Sequence, residues 1–254
     1  MRNLLTWPFR VVYGTYCWTT FLIFGVLALA LMLVVPGMER RRRIARRTGR
    51  IAFAFMGIRL RTEGLEQLPA ERCIVVANHA SYLDGAVLMS TLPPRFAFVI
   101  KKEMDRIPLA SHLLRRIGSA FVDRRDRHKS AMDARRVLRR ANQGESLVFF
   151  PEGTFSRQPG LLRFHTGAFA TAVRAGCAVV PVVIRGTRHV LPSHRVAPRP
   201  GSITVQMLAV LQPVAGDAEA SAHLRDEARR ILLAHLGEPD LAEPTSTPLL
   251  GETA

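Results

Sequence analysis

No charged residue interrupts the 25 positions from Val11 to Val35, and this run constrains the chain more than any other feature. A helix of that length rises about 37 Å at about 1.5 Å per residue, enough for a hydrocarbon core of about 30 Å. Its densest part, Phe21 to Val35, is shorter, and Gly14, Thr15, Thr19 and Thr20 dilute the first half. A full crossing and a helix dipping into one leaflet both remain open. Pro36-Gly37 ends the helix. Arg40, Arg41, Arg42, Arg43, Arg46, Arg47 and Arg50 follow, then an apolar stretch from Ile51 to Met56.

Arginines beside an apolar helix mark a cytoplasmic flank and attract anionic headgroups. The expectation is therefore a chain bound to the cytoplasmic membrane, in contact with its phospholipids, with the folded part facing the cytoplasm. A cleaved signal peptide would carry its charge before a shorter apolar run, the reverse of this order. The formal net charge of +16 rests almost wholly on arginine, since the lysines are Lys101, Lys102 and Lys129 alone. Charge by itself also suits nucleic acid. Yet the sequence holds no phosphate-binding Gly-x-x-x-x-Gly-Lys loop, zinc-finger spacing or aromatic-basic RNA motif, so no nucleic-acid partner is expected. Cys17, Cys73 and Cys177 are widely spaced in apolar surroundings, which fits a reducing compartment and neither a disulfide framework nor a metal site.

Beyond Gly57 short apolar runs rich in β-branched residues alternate with helical patterns, the signature of an α/β layer fold. Strands are predicted over Ile58 to Arg61, Cys73 to Ala77, Phe96 to Ile100, Ala120 to Asp123, Leu147 to Phe150, Val179 to Ile184 and Ile203 to Leu208. Helices are predicted over Ser81 to Leu92, Leu109 to Ile117, Lys129 to Asn142, Gly167 to Ala175 and Ala218 to Leu236. The pattern divides the chain into an anchor over 1–57, comprising the apolar helix and an Arg-rich second helix, a catalytic domain over 58–236, and a disordered tail over 237–254.

Chemistry concentrates at strand ends, where sites are usually built. The strand ending at Ala77 runs into Asn78-His79-Ala80-Ser81-Tyr82-Leu83-Asp84. A neutral imidazole can take a proton from an attacking alcohol, and an acid bound to its other nitrogen fixes the tautomer. His79 and Asp84 form such a pair, although Ser81-x-x-Asp84 also reads as a helix capping box. A second segment, Gly118 to Arg125, ends a strand in charge, and Arg124 suits a phosphate. In the third, Phe150-Pro151-Glu152-Gly153-Thr154-Phe155-Ser156-Arg157, Gly153 lets backbone amides approach a ligand and Glu152 can accept hydrogen bonds from a glycerol hydroxyl or hold an arginine. Arg163 and His165 add basic groups at the start of the next helix, and the run around Pro181 is core strand or acyl-contacting wall.

In this order the four segments resemble the four blocks of the glycerolipid acyltransferase family, typified by 1-acyl-glycerol-3-phosphate acyltransferases, over residues 60 to 190. The resemblance implies a glycerolphosphate-acyltransferase-like mixed sheet flanked by helices, preceded by a membrane-embedded helical segment. It implies an acyl-CoA or acyl carrier protein thioester as co-substrate, a lysophospholipid acceptor such as 1-acyl-glycerol-3-phosphate, no metal, no other cofactor and no covalent acyl-enzyme. His79 and Asp84 would be catalytic. Arg124, Glu152, Gly153, Thr154 and Arg157 would bind substrate, with Lys101, Lys102, Arg163 and His165 as candidates for the acceptor phosphate.

Two positions depart from relatives that acylate lysophosphatidic acid: Phe155 stands where many carry arginine, and His165 where many carry lysine. Each lost charge-assisted bond is worth about 1.5–3 kcal/mol, so another acceptor, such as an amino-acid lysolipid, is the alternative. A covalent hydrolase with Ser81, Ser156 or Cys73 as nucleophile lacks the Gly-x-Ser-x-Gly elbow. A silent membrane scaffold would have no use for the His79 and Asp84 pair.

Overall fold

The computed structural model describes residues 2–123 and 126–242. Two helices, α1 (Arg2–Val34) and α2 (Met38–Phe55), form an antiparallel hairpin that turns at Pro36-Gly37. The strands β1 (Arg59–Glu63), β2 (Cys73–Ala77), β3 (Phe96–Lys101), β4 (Ala120–Val122), β5 (Ser146–Phe149), β6 (Ala178–Arg185) and β7 (Ser202–Met207) build one sheet in the order β1-β7-β6-β2-β5-β3-β4. All neighbours run parallel except β6 and β7, so the sheet is mixed. Between the strands lie α3 (Asp84–Thr91), α4 (Pro108–Arg116), α5 (Arg127–Asn142), α6 (Gly167–Ala175) and the short α7 (Thr187–Val190), and α8 (Ala218–Leu236) follows β7.

The period-2 alternation of side chains sorts the core into two layers. On β2, Ile74 and Val76 pack with Val137 of α5, Phe169 of α6 and Leu232 of α8. Cys73, Val75 and Ala77 point the other way, onto Phe53 of α2 and Val87 and Leu88 of α3. The three cysteines are buried and unpaired.

The helical hairpin is not a free appendage. Tyr13 and Tyr16 of α1 donate to the carbonyls of Met56 and Phe55 at 2.7 and 2.8 Å. A Cβ placed on Gly14 would meet the Cβ of Ala197 at 2.8 Å, and one on Gly25 would meet Leu109 at 3.2 Å, so both glycines allow close approach of the domain. Met32 near the far end is fully buried. The opposite face, including Val12, Leu22, Ile23, Val26, Leu27 and Val34, is apolar and exposed. Arg42, in the arginine cluster, does not face a headgroup layer. It is buried and donates to the carbonyls of Ile117 and Arg95 and to Glu145.

Two sequence expectations shift. Helix α3 starts at Asp84 rather than Ser81, because the Asp84 carboxylate binds the preceding amides and holds 78–83 as a loop. The tail expected to be loose from Gly237 is docked as far as Ala242. Leu161 and Leu241 exchange backbone bonds with Pro239 and Leu161, Glu238 pairs with Arg188, and Asp240 pairs with Arg229. Ion pairs and backbone bonds therefore extend the domain beyond the last amphipathic helix.

Candidate functional site

Strands β2, β5 and β3 are adjacent and parallel, so their carboxyl ends open on one edge of the sheet, where α/β folds place ligands. The chain leaves β2 into His79, β5 into Phe150 and Glu152, and β3 at Lys101. Asn78 fixes the first loop: its side-chain amide donates to the carbonyl of Ile184 at 3.0 Å and its oxygen accepts the Ile184 N–H at 2.7 Å. This ties the turn to the middle of the sheet.

The imidazole Nδ1 of His79 lies 2.8 Å from Oδ2 of Asp84, whose side chain is fully buried. The same oxygen accepts the N–H groups of Ala80 and Ser81 at 2.7 and 2.8 Å. An ionised carboxylate only accepts, so it receives the Nδ1–H hydrogen bond and leaves Nε2 as the basic nitrogen. The capping-box bond back to Ser81 N–H is present as well. The Ser81 hydroxyl instead bonds the Leu83 amide and the Leu191 carbonyl. Asp84 thus serves the helix start and the imidazole together.

Two aromatic rings pack on His79, and a third packs on one of them. Phe150 stacks on the imidazole with centroids 4.4 Å apart, Phe155 meets it edge-on at 4.6 Å, and Tyr82 meets Phe155 at 4.8 Å. These contacts were not legible in the sequence, although Tyr82, Phe150 and Phe155 all border the motif residues.

His79 opens into a cleft of about 470 Å³ whose lining includes the apolar Val99, Ile100, Met104 and Phe150 and the polar or small Lys101, Gly153, Thr154, Arg157 and Ser193. Such a mixed lining offers apolar surface to a hydrocarbon chain and cations to an anionic headgroup. Of the sequence candidates, Lys101, Gly153, Thr154 and Arg157 reach this cleft with His79.

Glu152 does not line it. Its carboxylate is buried and accepts the backbone N–H of His79 at 2.6 Å and that of Leu162 at 2.8 Å. Burial pushes this carboxyl up to about 7 against the pull of those two bonds. It is a brace joining the loops after β2 and β5, and its position behind the cleft corrects the expectation that it contacts the acceptor. Lys102 turns away to Asp123 at 3.4 Å, beside a separate cavity of about 580 Å³. Arg163 and His165 are exposed and off the cleft wall. Arg124 lies outside the described residues. Among the described residues, no group of three or more His, Cys, Asp or Glu side chains is arranged to hold a metal ion.

Comparison with known proteins gives this geometry a family. The chain is 34% identical over 137 residues to the chloroplastic 1-acyl-sn-glycerol-3-phosphate acyltransferase LPAT1 of Arabidopsis thaliana, covering 53% of this chain and 38% of that one. It is 35% identical over 131 residues to the 1-acyl-sn-glycerol-3-phosphate acyltransferase of Haemophilus influenzae, covering 51% and 55%. It is 34% identical over 126 residues to the lyso-ornithine lipid O-acyltransferase of Pseudomonas aeruginosa, covering 50% and 48%. The match spans about half, or less, of the length of each of these three relatives. In fold, the chain is similar to the crystal structure of the 1-acyl-sn-glycerophosphate (LPA) acyltransferase PlsC from Thermotoga maritima, with a TM-score of 0.72, 24% identity and coverage of 91% and 96%. The family model described as Acyltransferase matches residues 59–185, half of the chain, and includes His79, Asp84 and the whole cleft edge from β2 to β5. The chain belongs to the Acyltransferase family.

Proposed function

We propose that this chain transfers a fatty acyl group from a thioester donor, acyl-CoA or acyl carrier protein, to the free hydroxyl of a lysophospholipid, with 1-acyl-glycerol-3-phosphate the first acceptor to test. The observation that carries the reading is the 2.8 Å contact of His79 Nδ1 with buried Asp84, beside a cleft lined by both apolar and polar groups. Nε2 of His79 accepts the proton of the acceptor hydroxyl as its oxygen attacks the thioester carbonyl. The tetrahedral adduct then collapses, the ester forms, and the thiolate leaves with the proton that His79 held. Asp84 fixes the ring and stabilises the imidazolium, and the stacked face of Phe150 adds to that. The scheme uses the substrate oxygen as nucleophile, so it requires neither an acyl-enzyme nor a metal.

A second acceptor reading has its own support. Phe155 packs on His79 at a position where arginine is common among lysophosphatidic acid acyltransferases, and the Pseudomonas relative is named for a lyso-ornithine lipid. An amino-acid lysolipid lacks the phosphate monoester that an arginine there would bind. The deciding experiment assays purified protein against lysophosphatidic acid, other lysophospholipids and lyso-ornithine lipid, with both donor types. Absence of acyl transfer to every acceptor would remove the proposal.

The hairpin supports membrane attachment. Gly14 to Met32 is about 27 Å of helix at about 1.5 Å per residue, and the domain packs along this length through Ala197, Leu109 and Ile117. A crossing of about 30 Å of hydrocarbon would drag the charged α4 and the loop before β7 into the bilayer. We therefore read α1 as lying in one leaflet with its exposed apolar face inward. The arginine flank supports a cytoplasmic orientation.

A further inference from the structure

Arg10 of α1 and Arg195 and Arg199 of the loop before β7 converge on a cavity of about 280 Å³, completed by Val11, Val196, Ala197 and Pro198. Among the described residues, no carboxylate pairs with any of these three side chains, whereas Arg42, Arg43, Arg115, Arg188 and Arg229 each meet one. Arg195 and Arg199 are half-buried. Like charges gathered without an acid repel one another, and a bound anion relieves that repulsion. The effect is felt within the cluster: burial, with Arg195 and Arg10 adding like charge, pulls Arg199 below the ordinary guanidinium range.

The surroundings identify the anion. Val196 is 79% exposed and Val12 68%, and both stand at the rim of the cavity or next to it. Trp18 donates its indole N–H to the Val196 carbonyl at 2.7 Å, a residue type enriched where membrane meets water. Apolar side chains projecting beside unpaired guanidinium groups match the depth of a lipid phosphate, with acyl chains below it. An aqueous metabolite would have no use for those projecting valines.

We propose that Arg10, Arg195 and Arg199 form a binding site for the phosphate of an anionic membrane phospholipid, distinct from the acyl-transfer cleft. The loop carrying two of these arginines begins at the cleft, since Leu191 accepts the Ser81 hydroxyl and Ser193 lines the cleft wall. A lipid held at the triad therefore fixes the loop against α1 and sets the cleft mouth at headgroup depth. The site does not depend on the acyl-transfer reading, because lipid binding is measured without turnover.

The test measures flotation of the full chain with phosphatidylcholine vesicles and with vesicles containing phosphatidylglycerol. Arg10→Gln/Arg195→Gln/Arg199→Gln is compared with Arg135→Gln/Arg139→Gln/Arg174→Gln, which removes equal charge from exposed positions on α5 and α6 across the sheet. The triad variant should lose at least about tenfold in affinity for the phosphatidylglycerol vesicles, with less than about threefold loss for the control, and phosphatidylcholine binding should stay the same. Equal losses in the two variants would mean diffuse charge and overturn the site. So would loss of binding to both vesicle types alike. A third arm titrates inorganic phosphate and follows the melting temperature: stabilisation of wild type but not of the triad variant, with unchanged flotation, would assign the site to free phosphate and overturn the lipid assignment. Equal far-ultraviolet circular dichroism spectra establish that both variants fold.

Discussion

The carboxylate of Glu152 holds the backbone N–H of His79 at 2.6 Å, so the position of the imidazole depends on a side chain that never reaches the cleft. Its second oxygen holds Leu162, and the loop between them is backed by Arg188, which donates to the Ser156 carbonyl and pairs with Glu238. His79 sits on a chain of braces running from β2 to the last described residues.

Glu152→Gln replaces one accepting oxygen with a donor facing an N–H, and should cost about 1–3 kcal/mol of stability. The pH dependence has a definite sign. The folded carboxyl is raised from 4.5 to about 7, so its contribution to stability is full below about pH 4.5 and is lost as pH rises through about 7, by up to about 3 kcal/mol. Melting temperatures of the two proteins from pH 5 to 8 should therefore differ most at low pH and converge as pH rises. A gap that widens with pH would contradict the buried carboxyl.

His79→Ala should lower kcat for acyl transfer by about 10²- to 10⁴-fold with little change in KM, because the base acts only as the proton moves. Asp84→Asn should lower kcat as well, and it should also lower the melting temperature, since Oδ2 serves Ala80 and Ser81 besides the ring. Initial rates and thermal melts on the same samples separate the two effects. Near-wild-type kcat in His79→Ala would dismiss the imidazole as base.

Phe155→Arg restores a cation beside the ring. For lysophosphatidic acid, kcat/KM should rise about 10- to 100-fold relative to lyso-ornithine lipid, the worth of one charge-assisted bond of about 1.5–3 kcal/mol. Competition between the two acceptors in one reaction measures the ratio directly. An unchanged ratio would show that position 155 does not read the headgroup.

Leu27→Glu places a charge on the exposed face of α1, where the leucine is 45% exposed and supports no core. Vesicle flotation should weaken by about tenfold or more while the melting temperature in detergent-free buffer stays within about 1 °C. The same loss in flotation accompanied by unfolding would point to a packed, rather than lipid-facing, surface.

Much of the sheet was legible because its central strands are buried on both faces: Cys73–Ala77 is apolar throughout, and Ala178–Arg185 is apolar up to its final arginine. The pairing of His79 with Asp84 was legible because only the short loop 78–83 separates the end of β2 from the helix that Asp84 begins. What the sequence hid was direction. Glu152 is adjacent to Gly153 in the chain, yet its carboxylate points behind the sheet edge while Gly153, at φ 71°, turns the backbone toward the cleft. Lys101 and Lys102 are consecutive and serve two different cavities, since β3 ends between them. The packing of Phe155 on His79 depends on that same turn, so no pattern of residue types announces it. The docking of 237–242 rests on Glu238 and Asp240, acids that a composition reading assigns to solvent.

A helix laid flat against its own domain meets a single sheet of the bilayer. On this reading every ester the cleft completes is released into the half from which its precursor came, and the other half grows only as fast as some separate process turns lipids over. With α1 lying in one leaflet as proposed, the leaflet it enters is the one that receives new lipid first.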